Sequence, residues 1–326
     1  MPDAMPNPAP TVAVIGAGGI GRHHANWWHA EGARVVAILG RTPETVRVSA
    51  NKLKALFGYD GPVFTDLAAL LREVRPAIVD VCSPAVCHFA HARLALEHDC
   101  QVLCEKPLVF DRALPPARLL GQASELTDLA TRRHLRFGLC SQHAVAAATC
   151  AELLRSHDPA PLTDVRMELR SPARGRPPDP AQTWIDLGPH LLAAVQTLIA
   201  DTEPDWSTLR IVTAGHDLDL ALTLRPADAP TVAVRLQAGF TTGEPANVRR
   251  IALNARAFDL LGETGPDGFF GMRYRTADGI DTLQPDPMRL LIRAFLAGHP
   301  PLNARSALAN QRMLLRVFDS LGACRT

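Results

Sequence analysis

The chain has almost no net charge: 34 Lys and Arg stand against 33 Asp and Glu, for +1 at neutral pH. That balance excludes binding driven by bulk attraction to nucleic acid or to an anionic membrane surface. There is also no uncharged run of about 18 apolar residues, so no membrane-spanning helix is expected. The opening MPDAMPNPAP holds four prolines and no hydrophobic stretch, which is not the pattern of a signal peptide, and a cytoplasmic location follows as the expectation. Cysteine is sparse and odd in number, seven in 326 residues, which fits a reducing compartment better than a disulfide scaffold. Cys82, Cys87, Cys100 and Cys104 are spaced loosely like paired metal ligands. Cys82 and Cys104, however, sit inside apolar runs where free cysteine behaves as a small hydrophobe, so no metal site is expected. No internal repeat is visible. What is present, 47% hydrophobic and 21% charged residues, reads as a globular chain long enough for two ordinary domains.

The first 140 or so residues alternate short apolar runs with segments of helical period. TVAVIGA, RVVAILG, AIVDVCSP, CQVLCEKP and HLRFGLCS read as strands. IGRHHANWWHAEG, PETVRVSANKLKALFG, LAALLREV (with Asp66 as a cap), FAHARLALEHD and the stretch from Leu114 to Ala130 read as helices. Such alternation implies an α/β domain, a doubly wound parallel sheet covered on both faces through right-handed crossovers. Beyond about residue 160 the pattern changes. LTDVRMELR, LRIVTAG, LDLALTLR, TVAVRLQAG, VRRIALNA and AFDLLGE are strand-like, several alternating apolar with charged residues. Helices are expected near Trp184–Ala200, Met288–Leu296 and Ser306–Leu321, and RSPARGRPPDPAQ reads as a loop. The second domain is therefore α+β, on a mostly antiparallel sheet with one open face. The expected division is 11–143 and 144–326.

GAGGIG places Gly16, Gly18 and Gly21 in G-x-G-x-x-G spacing, with Gly19 and Ile20 between them. The motif follows a strand and opens a helix, the context in which such a turn cradles a pyrophosphate against free helix N–H groups. This makes the first domain a dinucleotide-binding Rossmann domain. NAD-binding versions carry an acid at the end of the second strand for the ribose hydroxyls. Here the sequence reads ILGRTPE: Gly40 stands in that place, followed by Arg41 and Thr42. A missing carboxylate and a nearby guanidinium favour the 2′-phosphate of NADP, with NAD as the alternative.

Lys106 leaves the carboxyl end of a strand, where α/β sheets place their ligand crevice. Taken together, the glycine turn, Pro84 and His88 after the third strand, Glu105-Lys106-Pro107, and DLGPH in the second half resemble the Gfo/Idh/MocA oxidoreductases, the family of glucose-fructose oxidoreductase and inositol dehydrogenases. The resemblance spans nearly the whole chain and implies a catalytic set of Lys106, Asp186 and His190. His190 would take the proton of a substrate hydroxyl as hydride leaves its carbon, Lys106 would hold that oxygen, and Asp186 would orient substrate or histidine. It also implies cofactor contacts from Ser83, Pro84, His88, Glu105 and Lys106 beside the glycine turn, Arg41 and Thr42, and substrate contacts near Gln142 and His143. The substrate class it implies is a sugar, cyclitol or related polyol, with an aldehyde, diol or imine as alternatives. Because some relatives bind dinucleotide without turnover, a regulatory protein is the rival reading. A homodimer or homotetramer through the open sheet face is expected.

Two features of the active-site helix stay open at this level. Asp186 and His190 share one face if the helix has begun by Asp186. If Gly188 instead caps a helix starting at Pro189, the aspartate lies outside it. The chain also departs from the family pattern: DPAQTW stands where a glycine run is common, and Ala193 replaces a further aspartate.

Overall fold

The structure is a computed structural model that describes residues 9–266 and 269–323. Two compact units divide the chain. The first runs to Cys140 and takes in Ile292–Leu308; the second comprises Ser141–Leu291 and the chain from Ala309 onward. The division falls three residues before the sequence-based boundary, and the return of Ile292–Leu308 to the first unit is something a single cut does not provide for.

In the first unit, β1 (Thr11–Ile15), α1 (Ile20–Ala30), β2 (Arg34–Leu39), α2 (Pro43–Phe57), β3 (Val63–Phe64), α3 (Leu67–Val74), β4 (Ile78–Val81), α4 (Ala85–Glu97), β5 (Gln101–Cys104), α5 (Pro116–Arg132) and β6 (Phe137–Leu139) follow one another. The strands form one parallel sheet in the order β3-β2-β1-β4-β5-β6. The order reverses between β1 and β4, which puts a crevice at their carboxyl ends. Val12, Val14, Ile15, Val79, Val81, Val102 and Leu103 are fully buried, as a sheet covered on both faces requires. Local chemistry sets the helix ends. Asp66 accepts from the Ala69 N–H at the start of α3, and Thr42 and Thr45 form a reciprocal capping box on α2, which Gly58 ends in the left-handed region. From the returning segment, Phe295 meets Trp28 edge-on at 5.8 Å, and both are fully buried.

The second unit begins with α6 (Gln142–Arg155), β7 (Asp164–Pro172) and α7 (Pro180–Leu198). The strands β8 (Pro204–Ala214), β9 (Asp217–Leu224), β10 (Val232–Thr241), β11 (Val248–Leu253), β12 (Arg256–Thr264), β13 (Phe270–Arg275) and β14 (Asp281–Pro285) follow. Next come α8 (Pro287–Leu296) and α9 (Ala304–Ala323), whose residues from Ile292 to Leu308 belong to the first unit. Its eight-stranded sheet has the order β14-β13-β12-β11-β7-β10-β9-β8. All pairings are antiparallel except β7 with β10. Alternation sorts the two faces. Leu218, Leu220, Leu222, Val232, Val234 and Leu236 are buried on the side where α6 and α7 pack.

The opposite face carries ion pairs, most of them between strands. Arg170 reaches Glu168 at 2.8 Å and Asp217 at 2.7 Å, Arg235 reaches Asp219, and Arg273 reaches Glu263 and Asp281. No helix among the described residues is long and apolar enough to cross a membrane.

Candidate active site

The glycine turn joins β1 to α1. Gly16 has φ of 92°, and a Cβ there would lie 2.7 Å from the Cys82 carbonyl oxygen, so only glycine fits. Gly19 occupies the N-cap of α1 without a side-chain cap, leaving first-turn N–H groups for a ligand anion. Beside the turn lies a cleft of about 680 Å³, contained within the first unit.

Of the residues proposed for the cofactor, Gly16, Gly18, Gly19, Arg41, Ser83 and Pro84 line this cleft. Its lining also includes Thr45, Ser49, Thr65, Cys87 and His91, none of them expected from the sequence to meet the cofactor. Thr45 and Ser49 lie four residues apart on α2, so that spacing was the available signal. Gly40 proves to be dictated by packing: a Cβ there would sit 2.7 Å from the Cβ of Val46. The position therefore cannot carry a ribose-binding carboxylate while α2 packs as it does. The uncapped helix start, the glycine surface and the size of the cleft fit a dinucleotide.

Other proposed cofactor residues are placed differently. Ile20 is partly exposed on α1, and Gly21 is buried at the start of that helix. The Thr42 hydroxyl is taken up in capping α2. His88 is buried, with Nδ1 2.8 Å from the Pro107 carbonyl and Nε2 2.7 Å from that of Ser83. It braces the turn after β5 against the end of β4 and does not line the cleft. Ser83 in turn presents its hydroxyl to His91 Nδ1 at 2.9 Å. Burial, then the neighbouring His88, pulls the His91 pKa below its ordinary value.

Behind the turn lies a polar cluster that sequence reasoning missed. His24, on α1, is fully buried, as is Asp80 in the middle of β4. His24 Nδ1 is 2.9 Å from Asp80 Oδ2, and its Nε2 is 3.2 Å from Glu105 Oε1. Trp28 Nε1 donates to the same Asp80 oxygen at 2.7 Å, while Cys82 Sγ sits 3.3 Å from His24 Nδ1. Burial works against a charged ring, yet Cys82, Asp80 and Cys140 around it, with the hydrogen bond to Asp80, hold the His24 pKa well above the histidine norm. A protonated ring donates from both nitrogens, one to each carboxylate.

Glu105 is the complement of that ring. Burial alone would raise its pKa, but the bond and charge of His24, then the Lys106 charge, pull it down to about 2. Its Oε2 also accepts the Lys106 backbone N–H at 3.1 Å. The Glu105 carboxylate is thus turned into the cluster and fixes the backbone from which the Lys106 side chain leaves. The signal available in the sequence was Asp80 itself, a lone acid inside the apolar run AIVDVC, since a buried acid implies a buried partner.

In the second unit, α7 starts at Pro180, where Asp179 accepts from the Ala181 and Gln182 N–H groups. Asp186 and His190 therefore lie one turn apart on a single helix, the first of the two arrangements considered. Pro189 lies inside the helix, so the backbone bond to the Ile185 carbonyl is lost there. The Pro189 carbonyl also accepts from Asn310 Nδ2 at 3.1 Å.

Asp186 is ion-paired with Arg176 at 3.0 Å and accepts from Gln182 Nε2 at 2.9 Å. His190 turns Nδ1 to the Ser141 hydroxyl at 2.9 Å, and its ring meets that of His143 at 4.9 Å. His143 is buried, whereas Gln142, beside it at the start of α6, is half-buried. Lys106 belongs to the first unit, Asp186 and His190 to the second.

Comparison with known proteins agrees with the fold. Residues 11–141 match the GFO_IDH_MocA model, described as an oxidoreductase family with an NAD-binding Rossmann fold. D-Glucoside 3-dehydrogenase of Escherichia coli is 33% identical over 152 residues, 44% of this chain but only 40% of that protein's length. UDP-N-acetylglucosamine 3-dehydrogenase of Acidithiobacillus ferrooxidans is 25% identical over 93% of each chain. In a solved structure, that enzyme superposes with a TM-score of 0.71 over 94% of this chain and 95% of its own, at 21% identity. A variant of a 3-ketoreductase from Actinomadura kijaniata, solved with TDP-benzene and NADP, gives 0.66 over 94% and 96%, at 20% identity. These superpositions establish a common fold. Residues 11–141, with their glycine turn and the EKP segment after β5, thus form a domain of the kind found in the Gfo/Idh/MocA oxidoreductases.

Proposed function

We propose that the protein is an NADP(H)-preferring oxidoreductase that interconverts a secondary alcohol and a ketone on a sugar ring, at the carbon-3 position. The observation that carries the cofactor reading is the wall of the cleft formed by Gly40, Arg41, Thr45 and Ser49. It offers the Arg41 guanidinium where an NAD site would hold a carboxylate, while the Thr45 and Ser49 hydroxyls beside it donate to backbone carbonyls of α2 and its cap. The substrate reading is supported by the relatives: two are named as 3-dehydrogenases of a glucoside and of a nucleotide sugar, and a third as a 3-ketoreductase.

When bound, the nicotinamide supplies the acceptor for a hydride leaving the carbinol carbon. The chain's own groups manage the oxygen and its proton. His190 takes the hydroxyl proton, and Lys106 stabilises the negative charge that develops on that oxygen. Glu105 and His88 hold the backbone on either side of Lys106, fixing where its ammonium starts from. Asp186, held by Arg176 and Gln182, offers an acceptor for a neighbouring sugar hydroxyl. We also propose a homodimer or homotetramer through the charged sheet face, which sedimentation at micromolar concentration would test; a monomer would refute it.

The decisive experiment measures reduced dinucleotide formation from NADP and from NAD with a panel of glucosides and nucleotide sugars, and identifies the product by mass and NMR. A 3-keto sugar formed faster with NADP supports the proposal. Tight dinucleotide binding with no turnover on any sugar, in either direction, would return the protein to the regulatory reading.

A further inference from the structure

We propose that Ser141 is a positioning residue for His190, fixing the ring so that Nδ1 carries the hydrogen and Nε2 is the base. The inference rests on the reading of His190 as the proton acceptor, and adds to it the residue that sets its tautomer.

Ser141 stands at the N-cap of α6, with extended backbone. A serine there ordinarily accepts a bond from an N–H of the first helical turn, an interaction worth about 1 kcal/mol. Ser141 makes no such bond. Its fully buried hydroxyl meets His190 Nδ1 at 2.9 Å. A capping position has been diverted from its local use to a contact 49 residues away.

The diversion has a chemical consequence. A neutral imidazole carries one hydrogen, and the nitrogen without it is the one that can take a proton. The Ser141 oxygen can accept from Nδ1–H or donate to a bare Nδ1; in the first arrangement, the one inferred here, the lone pair is on Nε2. When Nε2 takes the hydroxyl proton, Nδ1–H stays where it was, so the ring need not turn during the reaction. His143 on α6 packs edgewise against the same ring and limits its rotation. Titratable groups of this surround within the unit include His143 itself and Asp186, one turn earlier on α7 with its partner Arg176. Asp186, which the family resemblance implies would orient substrate or histidine, is engaged by Arg176 and Gln182, and the serine is a partner of Nδ1.

The test compares Ser141→Ala, Ser141→Cys and His190→Ala in the full-length protein. It follows kcat, KM, NADP affinity and the pH profile, with 15N-histidine NMR to assign the His190 tautomer. Ser141→Ala should lower kcat about tenfold, the scale of one hydrogen bond, with KM and NADP affinity changed less than twofold. The Nδ1–H signature of His190 should be lost in Ser141→Ala and partly recovered in Ser141→Cys. An unchanged kcat and an unchanged tautomer in Ser141→Ala, with His190→Ala inactive, would overturn the role of the serine and leave the proposed function standing. If His190→Ala keeps full activity and the native pH profile, the reading of His190 as base falls, and this inference with it.

Discussion

The two units handle their ionised groups in opposite ways. In the first, His24, Asp80 and Glu105 lie inside the fold, stacked behind the turn that faces the cleft. In the second, Arg170, Arg235 and Arg273 stand with their acidic partners on the open face of a sheet whose other side is mostly apolar. A buried charge must be matched nearly atom for atom, since leaving one partner unpaired costs several kcal/mol, whereas an exposed pair contributes little. The first unit should therefore be sensitive to single substitutions at its polar centre, and the second tolerant of them across its charged face.

Asp80→Ala attacks that contrast most strongly. It removes one counter-ion of His24 and the acceptor of Trp28, and should destabilise the first unit by about 3–5 kcal/mol in denaturant unfolding. The same cluster predicts a pH signature. Because the Glu105 pKa is depressed to about 2, its stabilising contribution is full above the unfolded carboxylate value and is lost as pH falls from about 4.5 toward 2. The His24 pKa is raised, so its contribution is full below about 6.5 and is lost as pH climbs through the folded value. Thermal unfolding followed from pH 2 to 9 should show both flanks, and Glu105→Gln should flatten the acid one.

Next in size are the proposed catalytic groups, one from each unit. Lys106→Met and His190→Ala should each lower turnover by about 10²–10³, on the scale of losing one donor to a developing oxyanion. The double variant should fall short of the product of the two, because groups acting together are not additive. Stopped-flow hydride transfer would measure all three.

Arg41→Ala is expected to weaken NADP binding by about 1.5–3 kcal/mol while leaving NAD nearly unchanged, as one charge-assisted phosphate contact requires. Equal affinity of the native protein for both dinucleotides in calorimetry would contradict this. The smallest effect is reserved for the open face. Arg170→Ala, which breaks two pairs on β7, should cost about 1 kcal/mol or less in the same unfolding assay.

Legibility in the sequence follows the same contrast. Alternation along β9 and β10 announced both faces of the second sheet, and the strand-turn-helix context of Gly16–Gly21 announced the cradle. Local pattern also placed α7 and the two closing helices near their observed positions. It said nothing of α6, whose alanine-rich QHAVAAATCAELLR lacks a sharp apolar stripe, nor of the β13–β14 hairpin, whose short strands are interrupted by charge and by Gly271. Asp80 and His24 were hidden because an acid in a strand and a histidine on a helix acquire meaning only once the sheet brings α1 against β4. Ser141 was invisible for a related reason. It occupies a position where a serine needs no explanation, and only the fold shows that its hydroxyl is used elsewhere.

The return of Ile292–Leu308 to the first unit bears on how the protein is made. A ribosome delivers residues in order at about 5–20 per second, so the whole six-stranded sheet exists before the segment that completes its core. Until Phe295 arrives, Trp28 keeps an uncovered edge. The Arg136 guanidinium, which lies over the Phe295 ring and donates to its carbonyl, and the Leu139 N–H, which finds the Leu302 carbonyl at 2.9 Å, are also without those native partners. Synthesis of the intervening part of the chain lasts on the order of ten to thirty seconds, long enough for a chaperone to find that surface. Maturation of the nucleotide-binding half is thereby tied to completion of the chain, and a nascent fragment ending before residue 292 presents an unfinished core to the cell.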